Sequence, residues 1–239
     1  ELKMMVEEHS ADLGFAFDGD GDRVGMITND GASVLADHLI MLLTKNYLKK
    51  RAGPIIFDVK CSSQLPTLIN QLGGEAIMAK TGHFNIKKAI KEHNAVLGGE
   101  MSGHIFINHE WYGFDDAIFT AAILAQIISD DALSSSEVIN KFPKTFSTPE
   151  LNLEVTDDEK FDMIEEFKSK MSFPNSELNT IDGVRVTIGS AWGLVRASNT
   201  SPKLVFRFEA ETEEELQGIR KLFLDNLEKI FPDLPLNFS

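Results

Sequence analysis

The feature that most restricts the fold is the alternation of short apolar runs with amphipathic segments between Leu13 and Ser129. Leu13 to Phe17, Val24 to Thr28, Pro54 to Val59, Ala76 to Ala79 and Ala95 to Leu97 read as strands. Asp37 to Arg51, with Leu39, Leu42 and Leu43 on one face, reads as a helix, as do Gln64 to Leu72, Phe84 to Glu92 and Asp115 to Ser129. Pro54 to Val59 is apolar almost throughout, the pattern of a strand covered on both faces. Asn29-Asp30-Gly31 signals a turn, and Gly73-Gly74 a helix C-cap. Such an order predicts an α/β fold with a mixed, mainly parallel sheet and flanking helices.

The pattern changes after Pro143 and Pro149. Leu151 to Val155 reads as a strand, and Thr156-Asp157-Asp158-Glu159 as a capping box opening a helix to about Met171. Leu178 to Ile181, Val184 to Ile188, Trp192 to Arg196 and Lys203 to Glu209 read as strands, with a hairpin turn at Asp182-Gly183. Thr212 to Glu215 forms a second capping box, whose helix carries Leu216, Ile219, Leu222, Phe223, Leu227 and Ile230 at core spacing. The last third is therefore expected to be a separate α+β domain, with its boundary near residues 143–150.

Acids outnumber bases 37 to 23, a net charge of −14, which disfavours a broad nucleic-acid or anionic-membrane surface. An anionic ligand would need a local basic pocket or a metal. The longest apolar stretch, Ile118 to Ile128, is short for a membrane span and is broken by Thr120 and Gln126. Cys61 is the single cysteine, so no internal disulfide forms, and a reducing, cytoplasmic setting is expected. No signal-peptide pattern opens the chain. Glu1 stands at the edge of a helical segment, Leu2 to His9, which reads as a piece of a longer protein.

Asp18-Gly19-Asp20-Gly21-Asp22-Arg23 follows directly after a strand. Alternate carboxylates spaced by glycines can wrap one hard cation. A calcium EF-hand fails, because Arg23 stands where its loop needs glycine, Asn29 where it needs glutamate, and no helix precedes it. Few ligands, all carboxylate, suit Mg²⁺ completed by a phosphate oxygen, with Arg23 able to clamp the same phosphate.

The stretch Phe17 to Arg23 resembles the metal loop of the α-D-phosphohexomutases, the family of phosphoglucomutases, phosphomannomutases and amino-sugar mutases. Other loops extend the resemblance. In Gly99-Glu100-Met101-Ser102-Gly103-His104, a carboxylate and a hydroxyl two residues apart can meet neighbouring sugar hydroxyls, and a histidine can shuttle a proton; taken alone, the segment reads equally as a glycine-rich connection. It resembles the family's sugar-binding loop, Glu-x-Ser-Gly-His. The resemblance gives Glu100, Ser102 and Gly103 a place at the sugar and makes His104 a candidate general acid/base.

Lys80-Thr81-Gly82-His83 opens a helix, an anion-friendly corner, and resembles the loop that reads the orientation of the sugar phosphate, so Lys80 and His83 are candidate contacts. Lys60, at a strand's C-terminal end, is another, and Cys61 reads as packed and inert. Trp111-Tyr112-Gly113-Phe114-Asp115-Asp116 reads as packing alone. Arg196-Ala197-Ser198-Asn199-Thr200-Ser201-Pro202 offers a guanidinium fork and short polar groups, and resembles the family's phosphate loop, making Arg196, Ser198, Asn199 and Thr200 phosphate contacts.

The resemblance implies a tail of a second domain (1–32), a third α/β domain (33–146) and a fourth with a four-stranded antiparallel sheet (147–239). It also implies a missing first domain bearing a phosphoserine in a Ser-His-Asn-Pro context. No such stretch occurs here; Ser10, Ser62 and Ser63 lie in other settings. The implied chemistry interconverts mannose or glucose 1- and 6-phosphates through a bisphosphate, with Arg23 and His104 catalytic and Asp18, Asp20 and Asp22 on Mg²⁺. A chain without the carrier serine is expected to be inactive alone. Alternatives are a phosphoglucosamine mutase, a non-catalytic sugar-phosphate-binding module, or a metal-dependent phosphatase.

Overall fold

The computed structural model describes residues 1–236. It divides into two compact units, Glu1–Pro143 and a second from Lys144 onward. Among the described residues, no helix is long and apolar enough to cross a membrane.

The first unit opens with helix α1 (Leu2–Glu8), followed by strands β1 (Leu13–Phe17), β2 (Val24–Thr28) and β3 (Ser33–Val34). These strands form their own antiparallel sheet, with Phe17 opposite Val24. The link from Asp18 to Arg23 is too short for a parallel crossover, which needs about a dozen residues. The expected Asn29–Gly31 turn makes the next hairpin, with Gly31 at φ +78°.

Helix α2 (Ala36–Lys50), strand β4 (Pro54–Asp58), helix α3 (Gln64–Gln71), strand β5 (Glu75–Ala79), helix α4 (His83–His93), strands β6 (Leu97–Gly99) and β7 (Ile105–Ile107), and helices α5 (Ala117–Ser129) and α6 (Ser135–Ile139) complete the unit. The sheet order is β5-β4-β6-β7, parallel except for the last pair. Strands β4, β6 and β7 bury both faces, while edge strand β5 is only partly covered. Ile55, Phe57, Leu97, Ile105 and Ile107 share a core with Leu39, Leu43 and Leu124. Ile56 and Phe106 face Ile86 and Ile90 of α4. Val24, Met26 and Val34 of the first sheet belong to the larger of these cores. Each fully buried aliphatic side chain contributes about 1.5–3 kcal/mol.

Gly98 and Gly99 let helices approach both faces of β6. A Cβ at Gly98 would stand 2.6 Å from Ile90, and one at Gly99 2.5 Å from Ile40. Helix α3 ends in the anticipated glycine cap. The Gly74 N–H donates to Ile69 O (2.9 Å) and the Gly73 N–H to Asn70 O (3.1 Å), a Schellman motif. The sequence reading omitted α6, which a Ser134–Glu137 capping box opens.

The second unit comprises β8 (Phe146–Ser147), β9 (Leu151–Glu154), α7 (Lys160–Lys170), β10 (Glu177–Asn179), β11 (Val184–Ile188), β12 (Ala191–Ala197), β13 (Lys203–Ala210) and α8 (Glu213–Ile230). The sheet is antiparallel, as expected, but has six strands among the described residues rather than four. β13 is long enough to pair with β9 along Lys203–Phe206 and with β8 at Glu209–Ala210. One face packs Val184, Val195, Phe206 and Phe208 against Phe167 of α7 and Phe223 of α8. The register puts Arg185, Leu194 and Arg207 on the other face, with Trp192 and Glu209 beside them. There the Arg185 guanidinium lies 3.6 Å from the Trp192 ring centre, and Trp192 Nε1 donates to Glu209 Oε1 (2.9 Å).

The capping box expected at Thr156–Glu159 is corrected. Thr156 Oγ1 donates to the Glu159 carboxylate, no side chain caps α7, and the helix begins only at Lys160. The box at Thr212–Glu215 forms in full.

Candidate functional site

The loop joining β1 to β2 is ordered by its own first carboxylate. Asp18 Oδ1 accepts from the backbone N–H groups of Asp22 (3.2 Å) and Arg23 (3.1 Å), and Oδ2 accepts from Arg23 Nε. Asp18, Asp20 and Asp22 each present an oxygen, all within 4.8 Å of one another. That cluster of hard donors fits Mg²⁺. The Arg23 backbone hydrogen bond, with the guanidinium beside it, holds the Asp18 carboxyl well below the usual range. Burial pushes the Asp22 carboxyl up, and the hydrogen bond to Asp18 raises Arg23 further. Asp22 Oδ1 is buried with no hydrogen-bond partner.

The glycine-rich loop between β6 and β7 is fastened to this one. Arg23 and His104 form an antiparallel bridge, and the Val24 N–H donates to Gly103 O (3.2 Å). Gly103 sits at φ +100°, where a Cβ would stand 2.9 Å from Val24 O, so the contact requires glycine. His104 Nδ1 lies 2.9 Å from Ser102 Oγ and 3.1 Å from Glu100 Oε2, while Nε2 lies 3.4 Å from Asp22 Oδ2. Burial alone would lower the His104 imidazole, but its hydrogen bond to Glu100 and the charges of Glu100, Asp22 and Asp115 outweigh that and raise it.

Glu100 is 1% exposed. Its Oε1 accepts from the Gly82 N–H (2.6 Å), which ties the Lys80–His83 loop to the His104 loop. His83 is more than half exposed, and its ring stacks 6.1 Å from His104. Lys80 and Ser102 are exposed, whereas Lys60 is buried, with Nζ 3.8 Å from Asp58 Oδ2. Cys61 is packed as expected, its Sγ donating to Asp58 Oδ1 (3.2 Å).

In the second unit, the β12–β13 hairpin carries the other predicted residues. Arg196 is 4% exposed; its Nε donates to Asp182 Oδ2 (2.8 Å), and one terminal nitrogen is buried without an acceptor. Ser198 Oγ accepts from the N–H groups of Thr200 (3.3 Å) and Ser201 (3.2 Å), closing the turn. Asn199 and Thr200 are exposed at its tip.

Residues 36–146 match the model of phosphoglucomutase/phosphomannomutase α/β/α domain III, and residues 150–226 match that of the C-terminal domain of the same proteins. A phosphomannomutase/phosphoglucomutase from Pseudomonas syringae pv. tomato is 51% identical over 239 residues, all of this chain and 51% of that protein. The chain belongs to the phosphoglucomutase/phosphomannomutase family.

Its similarity reaches an archaeal phosphomannomutase from Methanocaldococcus jannaschii, 32% identical over 89% of this chain and 46% of that one. A solved phosphoglucomutase/phosphomannomutase family protein from Burkholderia thailandensis superposes with a TM-score of 0.91 at 39% identity, covering 97% of this chain and 50% of its own. The chain thus spans about half the length of the curated relatives it matches.

The structure of this family member also shows three residues that sequence reading passed over. Asp115, read as part of a packing motif, lies 3.4 Å from His83 Nδ1 through Oδ2 and 3.1 Å from Lys87 Nζ through Oδ1. Asp58 accepts from the Met101 N–H (3.1 Å) and from Thr81 Oγ1 (3.0 Å). Its position at the C-terminal end of a central strand was the available signal. Lys87 lies four residues after His83 on α4, one turn on, a spacing that places the two side by side.

Proposed function

We propose that this chain is part of a Mg²⁺-dependent phosphohexomutase that interconverts hexose 1- and 6-phosphates of mannose and glucose through a phosphoserine and a bisphosphate intermediate. The observation that carries the reading is the joining of two loops: the Asp18–Asp20–Asp22 cluster is bridged through Arg23 to His104. A phosphoryl-charge site and a proton-transfer group therefore sit on one small frame.

Asp18, Asp20 and Asp22 would hold Mg²⁺, which supplies positive charge to a transferring phosphoryl group. Arg23, its Nε occupied by Asp18, turns its remaining donors to the same phosphate. Glu100 Oε2, buried and 3.1 Å from His104 Nδ1, is a further acceptor that can meet a sugar hydroxyl. Ser102 and the Gly103 turn complete the sugar contacts, Lys60 and Lys80 supply cationic groups, and His83 adds a ring nitrogen. His104, held at Nδ1 by Glu100 and Ser102, takes and returns the hydroxyl proton. Glu100 and the neighbouring carboxylates of Asp22 and Asp115 raise its affinity for that proton.

The Arg196 loop takes a phosphate of the substrate, the unpaired guanidinium nitrogen being its anchor, with Ser198, Asn199 and Thr200 around it. Phosphoserine belongs to a segment outside these 239 residues, so the chain alone turns nothing over. The single buried thiol suits a cytoplasmic enzyme.

Calorimetry of this chain with mannose 6-phosphate, glucose 1-phosphate and glucosamine 6-phosphate in Mg²⁺ tests the reading. Weak binding of the first two, largely lost in Arg196→Ala, and no release of inorganic phosphate are expected. Steady phosphate release would reveal a phosphatase, and preference for the amino sugar would reassign the substrate.

A further inference from the structure

His104 Nε2 points at more than the sugar loop. His104, Asp22 and Asp115 each offer a ligand atom, and the three lie within 4.8 Å of one another. The nearest measured edge, His104 Nε2 to Asp22 Oδ2, is 3.4 Å. Two ligands about 2.0–2.1 Å from a tetrahedral zinc ion stand about 3.4 Å apart. The histidine is already oriented as a metal ligand would be. Glu100 Oε2 lies 3.1 Å from Nδ1 and Ser102 Oγ 2.9 Å from it, leaving Nε2 toward the carboxylates. A carboxylate behind the imidazole is the arrangement that fixes metal-bound histidines.

A second observation is independent of the cluster. The Asp115 side chain is only 8% exposed, and its Oδ2 has no hydrogen-bond donor, although Lys87 serves Oδ1 at 3.1 Å. Asp22 Oδ1 is likewise buried and accepts no hydrogen bond, with Arg23 Nε 3.8 Å away. Lys87, on Oδ1, opposes a cation at this place, and His83 Nδ1 lies 3.4 Å from Oδ2. A ligand bond through Oδ2 alone would leave Lys87 on the other oxygen as an outer hydrogen-bond donor.

We propose that His104, Asp22 and Asp115 form a second cation site, selective for a transition-metal dication such as zinc and overlapping the aspartate-loop site through Asp22. The donor sets separate the two cations. Three carboxylates suit a hard ion, and one imidazole with two carboxylates suits a borderline one. Because Asp22 belongs to both, filling the histidine site withdraws a ligand from the other, so zinc antagonises magnesium. The proposal concerns metal binding by this chain and does not rest on the mutase reading.

Calorimetric titration with ZnCl₂ and with MgCl₂, without sugar, tests it. His104→Asn and Asp115→Asn should each weaken zinc binding by about tenfold or more, as loss of a ligand or its support does, and leave magnesium nearly unchanged. Asp20→Asn should do the reverse, and zinc should lower the apparent affinity for magnesium. The unaltered chain gives a check that needs no variant: Co²⁺ should show the intense visible bands of four-coordinate cobalt with nitrogen ligation. Weak octahedral bands, or zinc binding lost in Asp20→Asn and kept in His104→Asn, would place the ion on the aspartate loop and overturn the proposal.

Discussion

The Asp58 carboxylate, at the end of β4, receives the Met101 N–H, the Thr81 hydroxyl and the Cys61 thiol, and so connects three loops that each carry candidate site residues. Its partners lie 23 and 43 residues away in two of these cases, which is why the sequence did not single it out. The Asp18 to Arg23 loop was legible for the opposite reason: its ligands are adjacent in the chain, so spacing alone brings them together. Asp115 was illegible because its partners, His83 and Lys87, come from helix α4, Lys87 being 28 residues away. Asp58→Ala would strip acceptors from buried donors, and a loss of about 1–3 kcal/mol in urea unfolding is expected. A change within a few tenths of a kcal/mol would contradict its role as a shared anchor.

Glu137 gives a pH-dependent case at the same scale. Hydrogen bonds from the Ser134 hydroxyl, then from its backbone N–H, hold the Glu137 carboxyl below its ordinary value. A carboxyl depressed in the fold stabilises it above the unfolded value, about 4.3, and that contribution is lost as pH falls through the folded value. An NMR titration should therefore find Glu137 below about 4.3, and Ser134→Ala should move it up. An unchanged Glu137 in the variant would contradict the capping assignment.

At the scale of elements, two similar sequence signals had different outcomes. Thr156 and Thr212 each precede a glutamate by three residues. Only Thr212 accepts from the backbone N–H at the third helical position (3.2 Å), while Thr156 spends its hydroxyl on the Glu159 side chain and the helix starts later. Thr212→Ala should cost about 1 kcal/mol in denaturant unfolding, and Thr156→Ala distinctly less. Equal costs would show that the two turns cap alike. The strands of the central sheet were readable because they are apolar on both faces. Their pairing direction was not a property of the strands themselves but of their links, as the short connection between β6 and β7 shows by forcing an antiparallel pair. The two-residue β3 and β8 carry too little pattern to be read from sequence.

At the scale of the whole molecule, each unit has its own core, an α/β/α sheet in one and an antiparallel sheet under two helices in the other. The fold class was legible because helix and strand periods are local, and the family because its loops are contiguous motifs. The half of the relatives' length not spanned here leaves the complete reaction a proposal. The most direct measurement is an amide NMR titration of this chain with mannose 6-phosphate in Mg²⁺. Saturable shifts confined to residues 18–23, 80–83, 99–104 and 196–201, lost for the most part in Arg196→Ala, are the predicted result. A saturable response that leaves those four segments unmoved would contradict the account.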